Sequence, residues 1–246
     1  MKAMIFAAGL GTRLRPITDS MPKALVPVGG IPMLERVLLK IRDAGINEVV
    51  VNAHHFSGQI LDFLKDNGDF GMKISVSLED EALETGGGIR RAEPFLKGGS
   101  RFLVHNADIL SDIPLDRLMS ADRPYSLATL AVMDAASDRY LLFDDRMRLV
   151  GWTNVRTGEV KSPYAGLDPD SCRRYAFCGI HVISDDIFGM MSGWPDKFGI
   201  IDFYLSVADR YPIYGADTGH PKFIDIGTPE KLAEAERLFG RLPKSE

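Results

Sequence analysis

A chain of 246 residues, 45% hydrophobic and 26% charged, is long enough to bury a full core, and this composition excludes a disordered chain. Its 29 basic against 34 acidic residues leave a net charge of −5, which excludes a broad basic face for nucleic acid. Any anionic ligand must therefore be held by a few local cations and backbone amides.

In chain order, short apolar runs alternate with helical patterns. Ala3 to Ala7, Val49 to Val51, Ile74 to Leu78, Phe102 to Val104 and Leu127 to Val132 read as buried strands. Leu34, Val37, Leu38 and Ile41 carry helical spacing, with Pro32 suited to the first turn and an end near Gly45. A second helix is expected from Ser57 to Lys65. Such alternation predicts an α/β fold with parallel pairing. Between about 138 and 182, turn signals separate short β-prone pieces, which predicts an antiparallel excursion. A last helix should follow Thr228-Pro229-Glu230, with Thr228 as its cap. No repeat of fixed period appears, so one domain over 1–246 is expected. Cys172 and Cys178 are too few for a disulfide framework, and the five histidines show no zinc spacing. No apolar run approaches the roughly 20 residues of a membrane span. The short apolar start is followed by Arg13 and Arg15, unlike a cleavage region, so a cytoplasmic protein without a membrane partner is expected.

The strongest local signal is Ala7-Ala8-Gly9-Leu10-Gly11-Thr12-Arg13-Leu14-Arg15-Pro16, directly after the first strand. Glycines there admit positive φ and let backbone amides approach a ligand, and the carboxyl end of a first parallel strand is where phosphate-bearing ligands bind in open α/β sheets. A dinucleotide fingerprint would need a third glycine at position 14, which is Leu, and a Walker loop would need Gly-Lys-Ser/Thr, which is absent. What remains is a glycine loop with Arg13, followed by Pro22-Lys23-Ala24-Leu25-Val26-Pro27-Val28: two cations suited to clamping a triphosphate, Arg as a planar fork and Lys as a point charge. Asp108 and Asp225 each follow a β-prone run. Two carboxylates at strand ends near a phosphate loop suit Mg²⁺, although an Asp in such a place also serves as a turn or cap residue.

Taken together, Ala-Ala-Gly-x-Gly-Thr-Arg-Leu-Arg-Pro and Pro-Lys-x-Leu-x-Pro-Val resemble the signature of sugar-1-phosphate nucleotidyltransferases. Glu84-Thr85-Gly86-Gly87-Gly88, Asn106-Ala107-Asp108, Phe177-Cys178-Gly179-Ile180 and Asp225-Ile226-Gly227-Thr228-Pro229 continue the match down the chain. Glu-Thr-Gly-Gly-Gly-Ile, where most of that family has Gly-Thr-Ala-Gly-Ala, is similar to the N-acetylmuramate-1-phosphate uridylyltransferase subfamily. The resemblance implies a Rossmann-like, mostly parallel sheet flanked by helices, of the nucleotide-diphospho-sugar transferase type. It implies Mg²⁺ as cofactor, held by Asp108 and Asp225, with a nucleoside triphosphate and a sugar 1-phosphate as partners and a monomer or small homo-oligomer as the assembly. Arg13, Lys23, Asp108 and Asp225 would be catalytic. Ala8, Gly9, Leu10, Gly11, Thr12, Glu79 and Gly87 would bind the nucleotide, and Thr85, Asn106 and Gly179 the sugar.

Three departures bear on substrate choice. The family usually has Asn-Gly-Asp where this chain has Asn106-Ala107-Asp108. Hexose-specific members carry Glu-Lys-Pro where it has Gly151-Trp152-Thr153-Asn154. Many members read a pyrimidine with Gln near position 78, where this chain has Leu78-Glu79. Glu79 could accept the N3–H of uracil or the N1–H and amino group of guanine, or be a solvated charge beside Asp80, Glu81 and Glu84. The expectation is uridine triphosphate with N-acetylmuramate-1-phosphate. The three glycines of the 84–88 loop would leave room for a sugar substituent, and Arg139, Arg156, Arg173 or Arg174 would meet its acid. Guanylyl or cytidylyl transfer to another sugar 1-phosphate, and a catalytically inactive nucleotide-sugar sensor, are the alternatives.

Overall fold

The computed structural model describes residues 1–240. β1 (Lys2–Phe6) leads to a small hairpin of β2 (Pro27–Val28) and β3 (Ile31–Pro32), and then to α1 (Met33–Asp43). β4 (Glu48–Ala53), α2 (Ser57–Asp66) and β5 (Lys73–Leu78) follow, then α3 (Glu84–Arg91) and α4 (Glu93–Leu96). Next come β6 (Arg101–Asn106), β7 (Ile109–Ser111), α5 (Leu115–Ala121) and β8 (Ala128–Met133). β9 (Arg139–Phe143), β10 (Leu149–Asn154), β11 (Glu159–Lys161) and β12 (Arg173–Ser184) are consecutive strands. The chain continues with α6 (Ile187–Met190), α7 (Ile200–Val207), β13 (Ile213–Asp217), β14 (Phe223–Asp225) and α8 (Pro229–Phe239). The fold is α/β, with parallel pairing, flanking helices and an antiparallel excursion. No helix among the described residues is long and apolar enough to cross a membrane.

The chain divides into two compact units. The first comprises Met1–Ala82, His105–Ile113 and the residues from Pro221 on; the second comprises Leu83–Val104 and Pro114–His220. In the first, β1, β4 and β5 pair in parallel, with Phe6 opposite Asn52 and Asn52 opposite Ser77. Their carboxyl ends therefore fall on one edge. α1 buries Met33, Leu34, Val37, Leu38 and Ile41, the stripe that its spacing predicts, and burial of each such side chain contributes about 1.5–3 kcal/mol. Pro32 stands one position ahead of the helix rather than in its first turn. α8 starts as expected: the Thr228 hydroxyl accepts the Lys231 N–H at 3.4 Å, and Pro229 needs no partner at that position. Leu14, Val28, Met33, Leu110, Ile224, Ile226 and Ala235 form one apolar cluster beneath β7, β14 and α8.

In the second unit β9, β10, β11 and β12 are joined antiparallel, the excursion expected from the turn signals. β12 also pairs antiparallel with β8, and β8 takes β13 in parallel. Phe203, Tyr204, Leu205 and Val207 are buried, as core residues should be.

One segment folds otherwise than expected. Glu84 to Gly88 is the first part of α3 and not a loop. Glycine in a helix interior costs about 1 kcal/mol relative to alanine, so the triplet needs a packing reason. A Cβ on Gly86 would lie 2.3 Å from Cε2 of Phe198, and one on Gly87 would lie 2.2 Å from the Asp196 carbonyl oxygen. The N–H groups of Gly86 and Gly87 both donate to the Phe198 carbonyl, at 2.9 and 3.3 Å. The side-chain volume that Gly86 and Gly87 give up is thus filled by the protein itself, which leaves no room for a sugar substituent at those two positions. Gly86→Ala should destabilise the protein by about 1–3 kcal/mol, opposite in sign to helix propensity. Urea denaturation checks this; equal or greater stability would show that Phe198 yields without cost.

Two fully buried histidines link the core to pH. The Tyr204 hydroxyl and Nδ1 of His181 are 2.9 Å apart, and burial pushes the His181 pKa down to about 3. His105 is also lowered to about 3, by burial first and then by the charge of Lys40. Both are neutral when folded and titrate near 6.5 when unfolded, so the stability they contribute is present above pH 6.5 and is lost as pH falls towards 3. Melting between about pH 7 and pH 4 should show a loss on the order of a few kcal/mol. His181→Gln should make that acid limb shallower, and an unchanged slope would remove His181 as a cause.

Candidate active site

The turn after β1 is built by Gly11, whose φ of +63° places it in the left-handed region. A Cβ there would also come within 2.9 Å of Cγ2 of Thr18 and 3.0 Å of Cβ of Lys23. The Thr18 hydroxyl and the Leu14 N–H both donate to the Gly11 carbonyl, each at 2.8 Å. The turn is therefore closed against the segment carrying Lys23. Gly9 differs: a Cβ there would meet nothing within 4 Å, so no internal contact demands glycine at that position. Ala8 is half-buried, while Gly9, Leu10 and Thr12 are exposed around it.

Asp108 and Asp225 are brought together by the short β7–β14 ladder. Asp225 is opposite Ile109, and the Ile226 N–H donates to the Asp108 carbonyl at 2.9 Å. The Lys23 ammonium donates to Oδ2 of Asp108 in an ion pair whose side chains are mostly buried. The charge of Arg13 also reaches Asp225. The Arg13 guanidinium lies over Gly227, where a Cβ would meet Nη2 at 2.9 Å. Four residues far apart in sequence thus form one cluster in the first unit.

Its electrostatics are those of a site short of positive charge. Burial, and then the neighbouring Asp108 carboxylate, push the Asp225 pKa up; Lys23, Lys231 and Arg13 pull it back. Oδ1 of Asp225 is buried without a hydrogen-bond partner. An orphaned carboxylate oxygen beside a second carboxylate fits a hard divalent cation, which prefers oxygen donors. Among the described residues no group of three or more His, Cys, Asp or Glu gathers as a metal cluster. Two carboxylates plus water and phosphate oxygens suit Mg²⁺ rather than an all-protein cage.

Glu79 follows β5 and is only 6% exposed, so it is not a solvated charge. Its Oε1 accepts from Nδ2 of Asn52 at 2.6 Å, and Oδ1 of Asn52 accepts the Ala7 N–H at 2.7 Å. Sequence reasoning passed over Asn52. The available signal was a polar residue ending the apolar run Val49-Val50-Val51 in a buried register. Asn106 ends β6, half-buried, with its carbonyl 2.8 Å from Nδ1 of His105.

Thr85, Gly87 and Gly179 belong to the second unit. The Thr85 hydroxyl accepts the Ile200 N–H at 2.9 Å, and the Gly87 amide is engaged by Phe198. Gly179 is buried in β12, with φ +67°, where the pairing with β8 shifts register. Of the cations considered for an acidic sugar, Arg156 pairs with Asp138 at 3.5 Å, Arg173 with Asp145 at 3.8 Å, and Arg174 with Asp170. Arg139 makes no ion pair among the described residues.

Residues 2–140 match the family model described as nucleotidyl transferase. Over 114 residues the chain is 47% identical to the N-acetylmuramate alpha-1-phosphate uridylyltransferase of Neisseria meningitidis serogroup B. That match spans 46% of this chain and about half, 49%, of the relative's length. The chain is 38% identical to the mannose-1-phosphate guanyltransferase of Kluyveromyces lactis, across 98% of its own length and 71% of that protein's. A putative glucose-1-phosphate thymidylyltransferase from Bacillus anthracis, 20% identical, has the same fold: TM-score 0.84, covering 100% of this chain and 98% of the other.

Proposed function

Since this chain belongs to the nucleotidyl transferase family, we propose that it transfers a nucleotidyl group from a nucleoside triphosphate to a sugar 1-phosphate, releasing pyrophosphate. The observation that carries this reading is the cluster of Lys23, Asp108, Asp225 and Arg13 beside the glycine turn. A phosphate oxygen of the sugar 1-phosphate attacks the α-phosphorus in line. It is already ionised, so no general base is required, and catalysis rests on positioning and charge stabilisation. Lys23 stabilises charge growing on the α-phosphate. Arg13, whose guanidinium lies over Gly227, holds the leaving pyrophosphate through its planar fork. The open face at Gly9 leaves backbone amides accessible to the nucleotide. Asp108 and Asp225 would hold Mg²⁺, which supplies neutralising charge to phosphate oxygens when bound. Nucleoside triphosphate as substrate fits a cytoplasmic reaction.

For the substrates, our reading is uridine triphosphate and N-acetylmuramate-1-phosphate. The 47% identical relative bears that activity in its name, and the Glu-Lys-Pro of hexose-specific members is missing. Arg139 is the candidate for the sugar's acid, since the other arginines have aspartate partners. Guanylyl transfer is the second reading. It is supported by the relative matched across 98% of the chain.

Pyrophosphate release across a matrix of triphosphates and sugar 1-phosphates, with Mg²⁺, is the test. The uridine–muramate pair should have the highest kcat/KM. A guanosine pair with mannose- or heptose-1-phosphate above it overturns the substrate assignment and keeps the reaction. No release from any pair overturns the reaction itself.

A further inference from the structure

We propose that Lys40, in the last turn of α1, is a positioning residue that sets the spacing of Asp108 and Asp225 by tying the far end of the β7–β14 ladder to α1. This inference rests on the reading of those two carboxylates as the holders of a divalent cation.

The ladder consists of three residue pairs: Ile109 with Asp225, Leu110 with Ile224 and Ser111 with Phe223. Strands this short have little of their own to hold a register. Leu110, Ile224 and Ile226 lie in the apolar cluster, and side chains alternate along a strand, so Asp225 faces away from that cluster. A slip of one residue would turn its carboxylate into the cluster and away from Asp108. Bonds beyond the three pairs hold the two strands to each other. At the near end the Ile226 N–H donates to the Asp108 carbonyl at 2.9 Å. At the far end the Asp112 N–H donates to the Lys222 carbonyl at 3.1 Å, and the Lys222 N–H donates to Oδ1 of Asp112 at 2.8 Å. Lys40 adds a bond of another kind, from the ladder to a helix. Its ammonium donates to the Ser111 carbonyl at 2.7 Å and to the Ser111 hydroxyl at 3.0 Å.

α1 suits this task because its other end is tied to the segment carrying Lys23. The Met33 N–H donates to the Val26 carbonyl at 3.1 Å, three residues after Lys23. Lys23 in turn pairs with Asp108. Lys40 thus closes a circuit through α1, the lysine segment and the carboxylate ladder. A side chain that only filled space would be apolar here, since Lys40 follows the buried Met33 by seven residues and the buried Val37 by three. Burial lowers its pKa to about 8, and the charge of Asp112 offsets part of that. The same ammonium opposes charge on the fully buried His105. Below pH 8 it therefore costs the fold stability, relative to an unfolded chain in which it titrates near 10.5. What a methionine of similar length cannot supply is the two directed bonds to Ser111.

The test compares Lys40→Met and Lys40→Gln with the wild type in Mn²⁺ binding followed by electron paramagnetic resonance, in melting temperature with chelator at pH 7, and in kcat/KM for pyrophosphate release. In both variants the Mn²⁺ dissociation constant should rise and kcat/KM should fall, each by roughly tenfold, as expected for reacting groups displaced by a fraction of an ångström. Loss of a nearby positive charge would by itself strengthen cation binding, so weaker binding reports displacement and not charge. The melting temperature of Lys40→Met should hold or rise, because a half-buried charge has gone. Mn²⁺ affinity unmoved or increased in both variants overturns the inference. Affinity that falls only where the melting temperature falls with it also overturns it, because Lys40 would then support the fold and not the spacing. A wild type that binds no Mn²⁺ removes the two-carboxylate reading and this inference with it, whereas wild-type binding with unmoved variants removes this inference alone.

Discussion

Replacing Asp225 by asparagine should lower kcat/KM by roughly 10³-fold, about 4 kcal/mol of lost transition-state stabilisation, while leaving the metal-free protein as stable as before or more so. The two effects have one cause. Asp225 is a buried carboxylate beside a second one, and its Oδ1 lacks a partner. In the metal-free fold its charge is costly, because desolvation and Asp108 oppose it and only Lys23, Lys231 and Arg13 offset them. Asparagine has nearly the same shape and removes that charge. What it cannot do is supply an anionic oxygen to a divalent cation. The rise in melting temperature that Mg²⁺ gives the wild type, through preferential binding to the folded state, should shrink or vanish in Asp225→Asn. Thermal melts with Mg²⁺ or chelator, run beside the pyrophosphate assay, check both parts. Full turnover in the variant, or wild-type turnover in chelator, would overturn the two-carboxylate assignment.

Lys23→Ala should lower kcat by roughly 10²-fold or more, in the range found when one preorganised electrostatic group is removed. The ammonium is tied to Asp108 and its side chain is 12% exposed, so it is held in place before substrate arrives. Its loss removes positive charge from the α-phosphate and also leaves Asp108 without its ion-pair partner. Added Mg²⁺ should not restore the rate, since the carboxylates remain. Lys23→Arg should recover only part of it, because a planar fork does not replace a compact ammonium paired with Asp108. Steady-state kinetics separate the roles: a raised KM with unchanged kcat would mean that Lys23 binds substrate and does not stabilise the transition state.

The turn after β1 was legible because its signal is local. Glycines, cations and prolines within one short run act on their own neighbours, and no distant contact is needed to read them. The strands and α1 were legible for a similar reason, since burial imposes a period on the residues of each element. Asp108 and Asp225 were recognisable as strand-end carboxylates, but only the β7–β14 ladder puts them side by side and leaves Oδ1 of Asp225 without a partner. Glu79 shows the limit most clearly. Among Asp80, Glu81 and Glu84 it has the composition of a solvated acidic stretch, yet it is buried on Asn52, 27 residues earlier. The glycines after Thr85 carry the local signal of a loop yet lie in a helix, where Phe198 and the Asp196 carbonyl occupy the space that side chains on Gly86 and Gly87 would fill. Composition and spacing determined which residues could bear charge or bend the chain. Which of them are buried, paired or pressed against a neighbour was decided by contacts between segments far apart in sequence, since a hydrogen bond or steric contact depends on distance in space.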